Sequence, residues 1–507
     1  MISVRRLKRN VISNAFGTIV PALAWFFVVP VLVLKLGEAG YGVYTIAISF
    51  AGVLGFLELG LTSAATKFVA EVEIRNDHDK LEKIISNNLS IYIALGIIIT
   101  LVCLEFGGKI APLVFHDTGL SQPELATMVL LMGLILSLTL VKNAFASILM
   151  GLHRYDYYNF IQVGYAVLLA LVQVLIVSLN GQVNSLLMGT VGVILASLVG
   201  FSLMIRKLLP GVRFFRLPDG YFLRALFTFG MYMMVINLAG TLLFNLDKVI
   251  IGRVLGPTSV SYYAIPSQIT LKIHNGLAVF VSFLFPMASE VESSGDKVTL
   301  KNIFLQGMRF IALLDGAVMV FLAVFAQKIL QLWISPDFAT QSSLLLVITA
   351  IGYIIYSLSI TPYHILLGMG RPRALAVMNT IITLGVIAGL YLGLTWFGLV
   401  GGCVGVAIGF CTAGILPAFV QRKLDISWTT IFKESYGRTL ICTLGAALIS
   451  VLLPSTPIIR LMYFVVFLFA LIFFGNTRIE DWRFLQNQWQ RLAAQIVVMR
   501  KQIAHRN

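Results

Sequence analysis

The chain has 507 residues, 58% of them hydrophobic and 12% charged, with a mean hydropathy of +0.92. That composition excludes an ordinary soluble domain and fits an all-α polytopic membrane protein with almost no extramembrane domain. A net charge of +15 would suit a nucleic-acid partner, but the lysines and arginines are spread over short loops between apolar runs, so they are read as a topology signal and no nucleic acid is expected.

In chain order, residues 1–10 carry Arg5, Arg6, Lys8 and Arg9, and the first span follows at about 11–36. It is too long for the apolar core of a cleavable signal and reads as a retained helix, which Pro21 and Pro30 are expected to bend. Further spans are expected at about 41–70, 84–105, 124–151, 157–179 and 185–205. A basic linker over about 206–224 separates them from spans at about 227–254, 259–288, 303–333, 342–368, 374–396 and 398–420. Two more, at about 439–453 and 459–474, bring the expected count to about fourteen. Cys103, Cys403, Cys411 and Cys442 lie in apolar runs without CxxC or Cys/His spacing, so neither a disulfide framework nor a metal site is expected, and no cofactor is implied.

The order repeats. Leu36-Gly37 matches Leu255-Gly256, Tyr44-Thr45-Ile46 matches Tyr263-Ala264-Ile265, and Glu71-Val72-Glu73 matches Glu290-Val291-Glu292, all 219 positions apart. At a spacing of 217, the run from Ile148 to Arg154 matches that from Ile365 to Arg371. Glycine, arginine and acidic landmarks that hold one register indicate a duplication. The domains are therefore a six-helix half over 1–215, a second over 216–430, two additional helices over 431–475 and a tail over 476–507. Six spans per half make the repeats parallel.

Polar residues inside the spans are the candidate functional groups, because a charge at mid-bilayer costs roughly 2.5–3.5 kcal/mol on insertion scales. Asn237, Thr241, Asn245 and Lys248 form one helical stripe and Gln268, Lys272 and Asn275 a second, and two such stripes can wall a wet cavity. Asp247 and Lys248 are adjacent and point about 100° apart on a helix, so each is expected to pair elsewhere or snorkel rather than pair with the other. Lys67 and Lys142 are read either as groove residues or as snorkelling side chains near helix ends. Glu58 and Asp315 are either hydrogen-bonded acids or carriers of a coupling ion, and His274 and His364, which lack metal spacing, are expected to be packed or hydrogen-bonded.

A resemblance rests on Tyr41-Gly42-Val43-Tyr44, Glu58-Leu59-Gly60-Leu61-Thr62, Gly151 to Asn159, Asp247 to Gly252 with Leu255-Gly256, and Gly368-Met369-Gly370-Arg371-Pro372. With the two halves and two extra helices, these resemble the Wzx-type polysaccharide flippases of the multidrug/oligosaccharidyl-lipid/polysaccharide exporter superfamily, over about residues 5–475. The resemblance implies two helical bundles with alternating access that move a polyprenyl-diphosphate-linked glycan across the cytoplasmic membrane, with membrane lipids and polysaccharide assembly proteins as partners. Lys272, Lys248, Lys142, Asp247, Asn245, Gln268, Asn275 and Lys67 would then line the substrate groove, where cations suit a diphosphate, and Glu58 and Asp315 would serve ion coupling. A cation-coupled multidrug antiporter or a peptidoglycan lipid-precursor flippase on the same scaffold are the alternatives. An enzyme is not expected: the largest loop on the far side, about 106–123, has only His116 and Asp117 as a titratable cluster, and no GxxxxGK[ST] loop occurs.

The tail carries Trp482, Leu485, Trp489, Leu492, Ile496, Met499 and Ile503 at spacings of three and four among arginines, a basic amphipathic helix suited to the anionic inner leaflet or to a partner helix. Of the 37 lysines and arginines, 28 fall on the amino-terminal side of the membrane and five opposite, which places both termini in the cytoplasm. Reporter fusions after Arg216 and Asn507 are expected to read cytoplasmic. An extracytoplasmic signal from either would overturn the fourteen-span topology.

Overall fold

The computed structural model of the protein describes residues 4–474, except 59, 76, 117, 213–219 and 455. The reading of the tail therefore lies outside the described residues, as does part of the basic linker. The first elements are α1 (Val4–Val53), a 3₁₀ turn (Leu54–Glu58), α2 (Leu61–Arg75), α3 (His78–Val114), α4 (Gln122–Gly151), α5 (Tyr155–Ser178), α6 (Val183–Leu208) and α7 (Gly220–Leu255). There follow α8 (Pro257–Phe280), α9 (Leu284–Ser294), α10 (Lys297–Trp333), α11 (Pro336–Tyr356), a 3₁₀ turn (Ser357–Ser359) and α12 (Ile360–Gly368). The last are α13 (Pro372–Phe410), a 3₁₀ turn (Cys411–Gly414), α14 (Ile415–Lys423), α15 (Trp428–Glu434), α16 (Gly437–Ser450) and α17 (Pro457–Phe474). No strand occurs among the described residues. Hydrocarbon supplies no hydrogen-bond partners, so a spanning segment must satisfy its own backbone, as a helix does.

Eight helical stretches are long and apolar enough to cross a membrane, and α8 with α9, bent by 43°, makes a ninth. Two of the eight are broken: α1 at Gly37, with φ 72°, and α13 at Phe397 and Gly398, with φ −132° and 63°. A continuous 50-residue helix would be about 75 Å long, more than twice the roughly 30 Å of hydrocarbon, so the breaks are where the chain turns back. Counting both arms of each broken helix, together with α7, α8–α9, α16 and α17, gives fourteen candidate crossings among the described residues.

Several expected spans are not continuous helices. The span at about 41–70 is interrupted by the 3₁₀ turn Leu54–Glu58 and by Gly60 at φ 66°. That at about 259–288 bends between α8 and α9, and those at about 342–368 and 398–420 contain the turns Ser357–Ser359 and Cys411–Gly414. Hydropathy averaged over a span does not register these interruptions, because the one or two polar residues in each are outweighed by apolar neighbours. Pro21 and Pro30 lie within helical dihedrals, and the break of α1 at Gly37 falls between the spans expected at about 11–36 and 41–70.

The geometry recurs where the sequence does. α3 and α10 are each 37 residues long and start 219 positions apart, and each is capped by an aspartate. Asp77 accepts from the Lys80 amide at 3.1 Å and Asp296 from the Thr299 amide at 3.0 Å. Hydrogen bonds from Lys80 and from Thr299 hold both carboxyls below the usual carboxylate range. The corner after α4 places His153 at φ 55° and that after α12 places Gly370 at φ 67°. The same pair of backbone bonds closes both, His153 N to Met150 O at 2.9 Å and Arg154 N to Leu149 O at 2.8 Å in one, Gly370 N to Leu367 O at 3.1 Å and Arg371 N to Leu366 O at 3.0 Å in the other. One difference stands out: Gln122–Gly151 has 30 residues, whereas Pro336–Gly368 has 33 and holds the turn Ser357–Ser359.

Packing divides the chain into two compact units, Met1–Ser261 and Tyr262–Asn507. In the first, α4 packs against α3 and α6, α1 against α5, and α7 against α1, α2 and α3. In the second, α10 packs against α11 and α16, α9 against α12, and α17 against α16 and α10. The Arg460 guanidinium ties α17 to α10 by donating to the Val324 carbonyl at 2.5 Å. Large apolar side chains such as Phe160, Leu168, Leu171 and Leu175 stay exposed along one face of α5, a surface for lipid rather than water.

The two arms of α13 meet through glycines four apart, Gly385, Gly389 and Gly393 on one side and Gly401, Gly405 and Gly409 on the other. A Cβ at Gly405 would lie 1.9 Å from the Gly389 carbonyl oxygen, so the small-residue seam allows backbone-to-backbone contact. Gly405→Val is expected to lower the melting temperature of the purified protein, since overpacking costs typically about 1–3 kcal/mol. Gly240→Ala, where nothing lies within 4 Å, serves as the control and should melt like wild type. Equal melting temperatures for all three would refute the seam.

Candidate transport sites

In the first unit the stripe on α7 runs from exposed Asn237 through half-buried Thr241 and Asn245 to buried Asp247 and Lys248. α1 makes room for it at Gly52, where a Cβ would sit 2.8 Å from Asn245 Oδ1. Lys248 Nζ lies 2.8 Å from Asp247 Oδ1, 2.9 Å from Oδ2 and 2.8 Å from the Phe244 carbonyl. The expectation that these neighbours would not pair is thereby corrected. Although their Cβ atoms diverge by about 100°, the flexible four-carbon stem of lysine folds back over the carboxylate. In a low-dielectric interior two separated charges cost more than that bend.

A second polar group is centred on α4. Lys142 is buried with its ammonium 4.1 Å from the Tyr165 ring centroid, a cation–π contact with α5, and no salt bridge reaches it among the described residues. The next residue, Asn143, donates to Glu58 Oε2 at 3.2 Å, so Lys142 and Glu58 belong to one neighbourhood built on α4 and the first 3₁₀ turn. Nearby bonds extend it: Thr62 with the Tyr92 hydroxyl at 2.9 Å, Asn88 to Ser147 at 3.2 Å, and Gln173 to the Tyr44 hydroxyl at 2.6 Å. Lys67 is different. It is exposed on α2 and pairs with Glu71 one turn on, at 3.7 Å, a surface pair worth at most about 1 kcal/mol.

In the second unit α8 keeps Gln268, Lys272 and Asn275 on one helical face, with Gln268 and Lys272 half-buried and Asn275 exposed. Asp315 of α10 is buried; its Oδ1 accepts from the Ser357 hydroxyl at 3.1 Å, and Ser357 Oγ lies 2.9 Å from His274 Nδ1. The His274 ring stacks on Tyr356 at 4.7 Å, and Tyr356 stacks on Phe410 at 4.5 Å. His364 packs edge-on against Tyr363 at 5.6 Å.

One basic residue moves relative to expectation. Arg309, counted with the loops, is buried inside α10, which starts at Lys297 rather than near residue 303. The charge bias between the two sides survives without it. Asn143, Tyr165, Ser357 and Tyr356 escaped the sequence reading because uncharged side chains in apolar runs carry no signal by themselves.

Residues 7–292 match the family described as polysaccharide biosynthesis protein, and residues 233–392 match the MatE family. A "Putative O-antigen transporter" of Shigella flexneri is 22% identical over 429 residues, covering 84% of this chain and 99% of that protein. The "Probable low-salt glycan biosynthesis flippase Agl15" of Haloferax volcanii is 26% identical over 218 residues, 41% of this chain and 46% of the relative. Among solved structures, the lipid II flippase MurJ in an inward closed conformation aligns with a TM-score of 0.68 at 16% identity, covering 92% of this chain and 98% of its own. An inward-facing multidrug resistance MATE transporter of the MOP superfamily aligns at 0.66 and 14% identity, covering 84% and 98%. The chain has the fold of these polytopic transporters, and with more than half its length matched it belongs to the polysaccharide biosynthesis protein family.

Proposed function

We propose that the protein is a flippase that moves a polyprenyl-diphosphate-linked oligosaccharide across the cytoplasmic membrane by alternating access. The observation that carries this reading is family membership combined with a relative named as an O-antigen transporter that aligns along almost its whole length. The glycan flippase named in Haloferax volcanii points the same way. In this reading the protein transports rather than catalyses, both termini are cytoplasmic, and polysaccharide assembly proteins are its partners. The halves 1–215 and 216–430, the added helices over 431–475 and the tail over 476–507 are its repeat organisation. The MurJ and MATE likenesses concern fold only, so they leave lipid II and drugs as alternative cargoes to be separated by assay.

A diphosphate crossing hydrocarbon needs cations that are not already neutralised. Asp247 and Lys248 cancel one another at 2.8 Å, and Lys67 sits in a surface pair. The attraction is assigned first to Lys142, and Lys272 is proposed beside it as a cation on the polar face of α8, with Asn245, Gln268 and Asn275 as hydroxyl-binding groups and Asp247–Lys248 as a polar wall. Glu58 and Asp315 are the coupling acids of this scheme.

Lys272→Ala and Lys142→Met are each expected to reduce glycan export roughly tenfold or more, about 1.4 kcal/mol, at normal protein level, with Lys272→Arg recovering part of it. Full export by the double variant at normal abundance would remove the basis for an anionic cargo. Accumulation of lipid-linked oligosaccharide in the inner leaflet of a deletion strain, with unchanged drug sensitivity, separates this reading from the antiporter.

For the buried pair the expectation is opposite in kind. Asp247→Asn or Lys248→Met alone leaves one charge unpaired and costs about 3–5 kcal/mol, whereas removing both is close to neutral. Membrane abundance should fall in each single variant and recover in the double. Equal abundance in all three would show that the pair does not stabilise the fold.

A further inference from the structure

The second unit contains a chain of hydrogen bonds through an imidazole that has no counterpart among the described residues of the first. Shifted back by 219 positions, His274 and Asp315 become Gly55 and Gly96, while Ser357 lies in a 3₁₀ turn within Pro336–Gly368, which has 33 residues against 30 in Gln122–Gly151. Near Gly96 the first unit has the Ser137 hydroxyl, which donates to the Gly96 carbonyl at 2.7 Å and lies 3.0 Å from the Thr100 hydroxyl. A common scaffold thus carries an acid, a hydroxyl and an imidazole in one copy alone.

We propose that Asp315, Ser357 and His274 form a proton-binding relay that stores one proton in the second unit. The distances, 3.1 Å and 2.9 Å, suit two hydrogen bonds in series through a hydroxyl that can point either way. In the proton-poor state His274 Nδ1–H donates to Ser357 Oγ, and Ser357 donates to the Asp315 carboxylate. A proton arriving at Nε2 of His274 lets the Nδ1 proton pass to Ser357 Oγ and the Ser357 proton pass to Asp315 Oδ1. Asp315 then donates to Ser357, Ser357 donates to Nδ1, and His274 remains neutral as the other tautomer. One proton has been gained, and every bond has reversed.

A metal cation suits the site less well. Hard cations take a shell of oxygen ligands, and here the walls beyond one carboxyl and one hydroxyl are the imidazole and the rings of Tyr353, Tyr356 and Phe410. No group of three His, Cys, Asp or Glu side chains occurs among the described residues. Asp315 Oδ2 is buried with no hydrogen-bond partner among them. The charged or titratable groups on the surrounding elements include Lys272 of α8, Glu290 and Glu292 of α9, Lys297, Lys301, Arg309 and Lys328 of α10, Asp337 of α11, His364 of α12, Arg438 of α16 and Arg460 of α17. No salt bridge joins any of them to Asp315 among the described residues, so its proton is governed through Ser357. Since Ser357 opens the turn between α11 and α12, reversing the bonds changes what holds that break.

The relay deepens the ion-coupling role assigned to Asp315 in the transport reading, and its test needs no cargo. Infrared difference spectra of the full-length protein in phosphatidylcholine vesicles would be recorded between alkaline and acid pH, in H₂O and D₂O. A protonated-carboxyl band should grow together with a change in imidazole tautomer bands. Asp315→Asn should lose both, and Ser357→Ala should keep the carboxyl band but uncouple it from the imidazole. Asp315→Glu, a second variant should asparagine impair folding, should retain a shifted band. An unchanged carboxyl band in Asp315→Asn, or unchanged coupling in Ser357→Ala, would overturn the proposal. A protein that exports no glycan yet shows these spectra would refute the transport reading and leave the relay standing.

Discussion

Hydrocarbon offers no hydrogen bonds, and most features of this protein follow from that. The backbone satisfies itself as helix through most of the described spans, and departs from it at short turns such as Leu54–Glu58 and Ser357–Ser359 and at corners such as Gly37. Each charged side chain within the membrane then needs a local solution. Lys248 folds onto its own neighbour, Lys142 lies over an aromatic face, and Asp315 accepts from a serine. These are different answers to the same desolvation cost.

Repetition of the scaffold makes the differences between halves informative. Aspartate caps, left-handed corners and a 37-residue helix recur at fixed spacing, so the architecture tolerates two copies of one plan. The chemistry does not recur. Glu58 is held by Asn143 in the first unit, whereas in the second an acid and a histidine stand where the first copy has two glycines, and Ser357 of a 3₁₀ turn lies between them. A transporter with two like halves needs some such asymmetry to bind an asymmetric cargo or to couple an ion in one half only.

Counting lysines overstates the positive charge available to a cargo. With Lys248 folded onto Asp247 and Lys67 paired with Glu71, the number of lysines is not the number of cations a cargo can meet. Fewer cations bind a diphosphate less tightly, which suits a carrier that must release what it has taken up.

Composition and pattern alone determined the membrane class, the approximate spans, the internal repeat, the resemblance and most of the polar candidates. These properties are local: a run of apolar residues long enough to cross hydrocarbon is recognisable without knowing its neighbours. Tertiary structure decided where helices break inside an expected span, as at the turns Leu54–Glu58 and Ser357–Ser359, whereas the breaks at Gly37 and at Phe397 and Gly398 fall where expected spans already met. It also decided that Lys248 turns back on Asp247, a choice of side-chain rotamer that helical projection cannot anticipate. The union of Asp315, Ser357 and His274 likewise required three separate helical segments to meet, since a hydrogen bond spanning 83 positions between His274 and Ser357 leaves no trace in residue spacing.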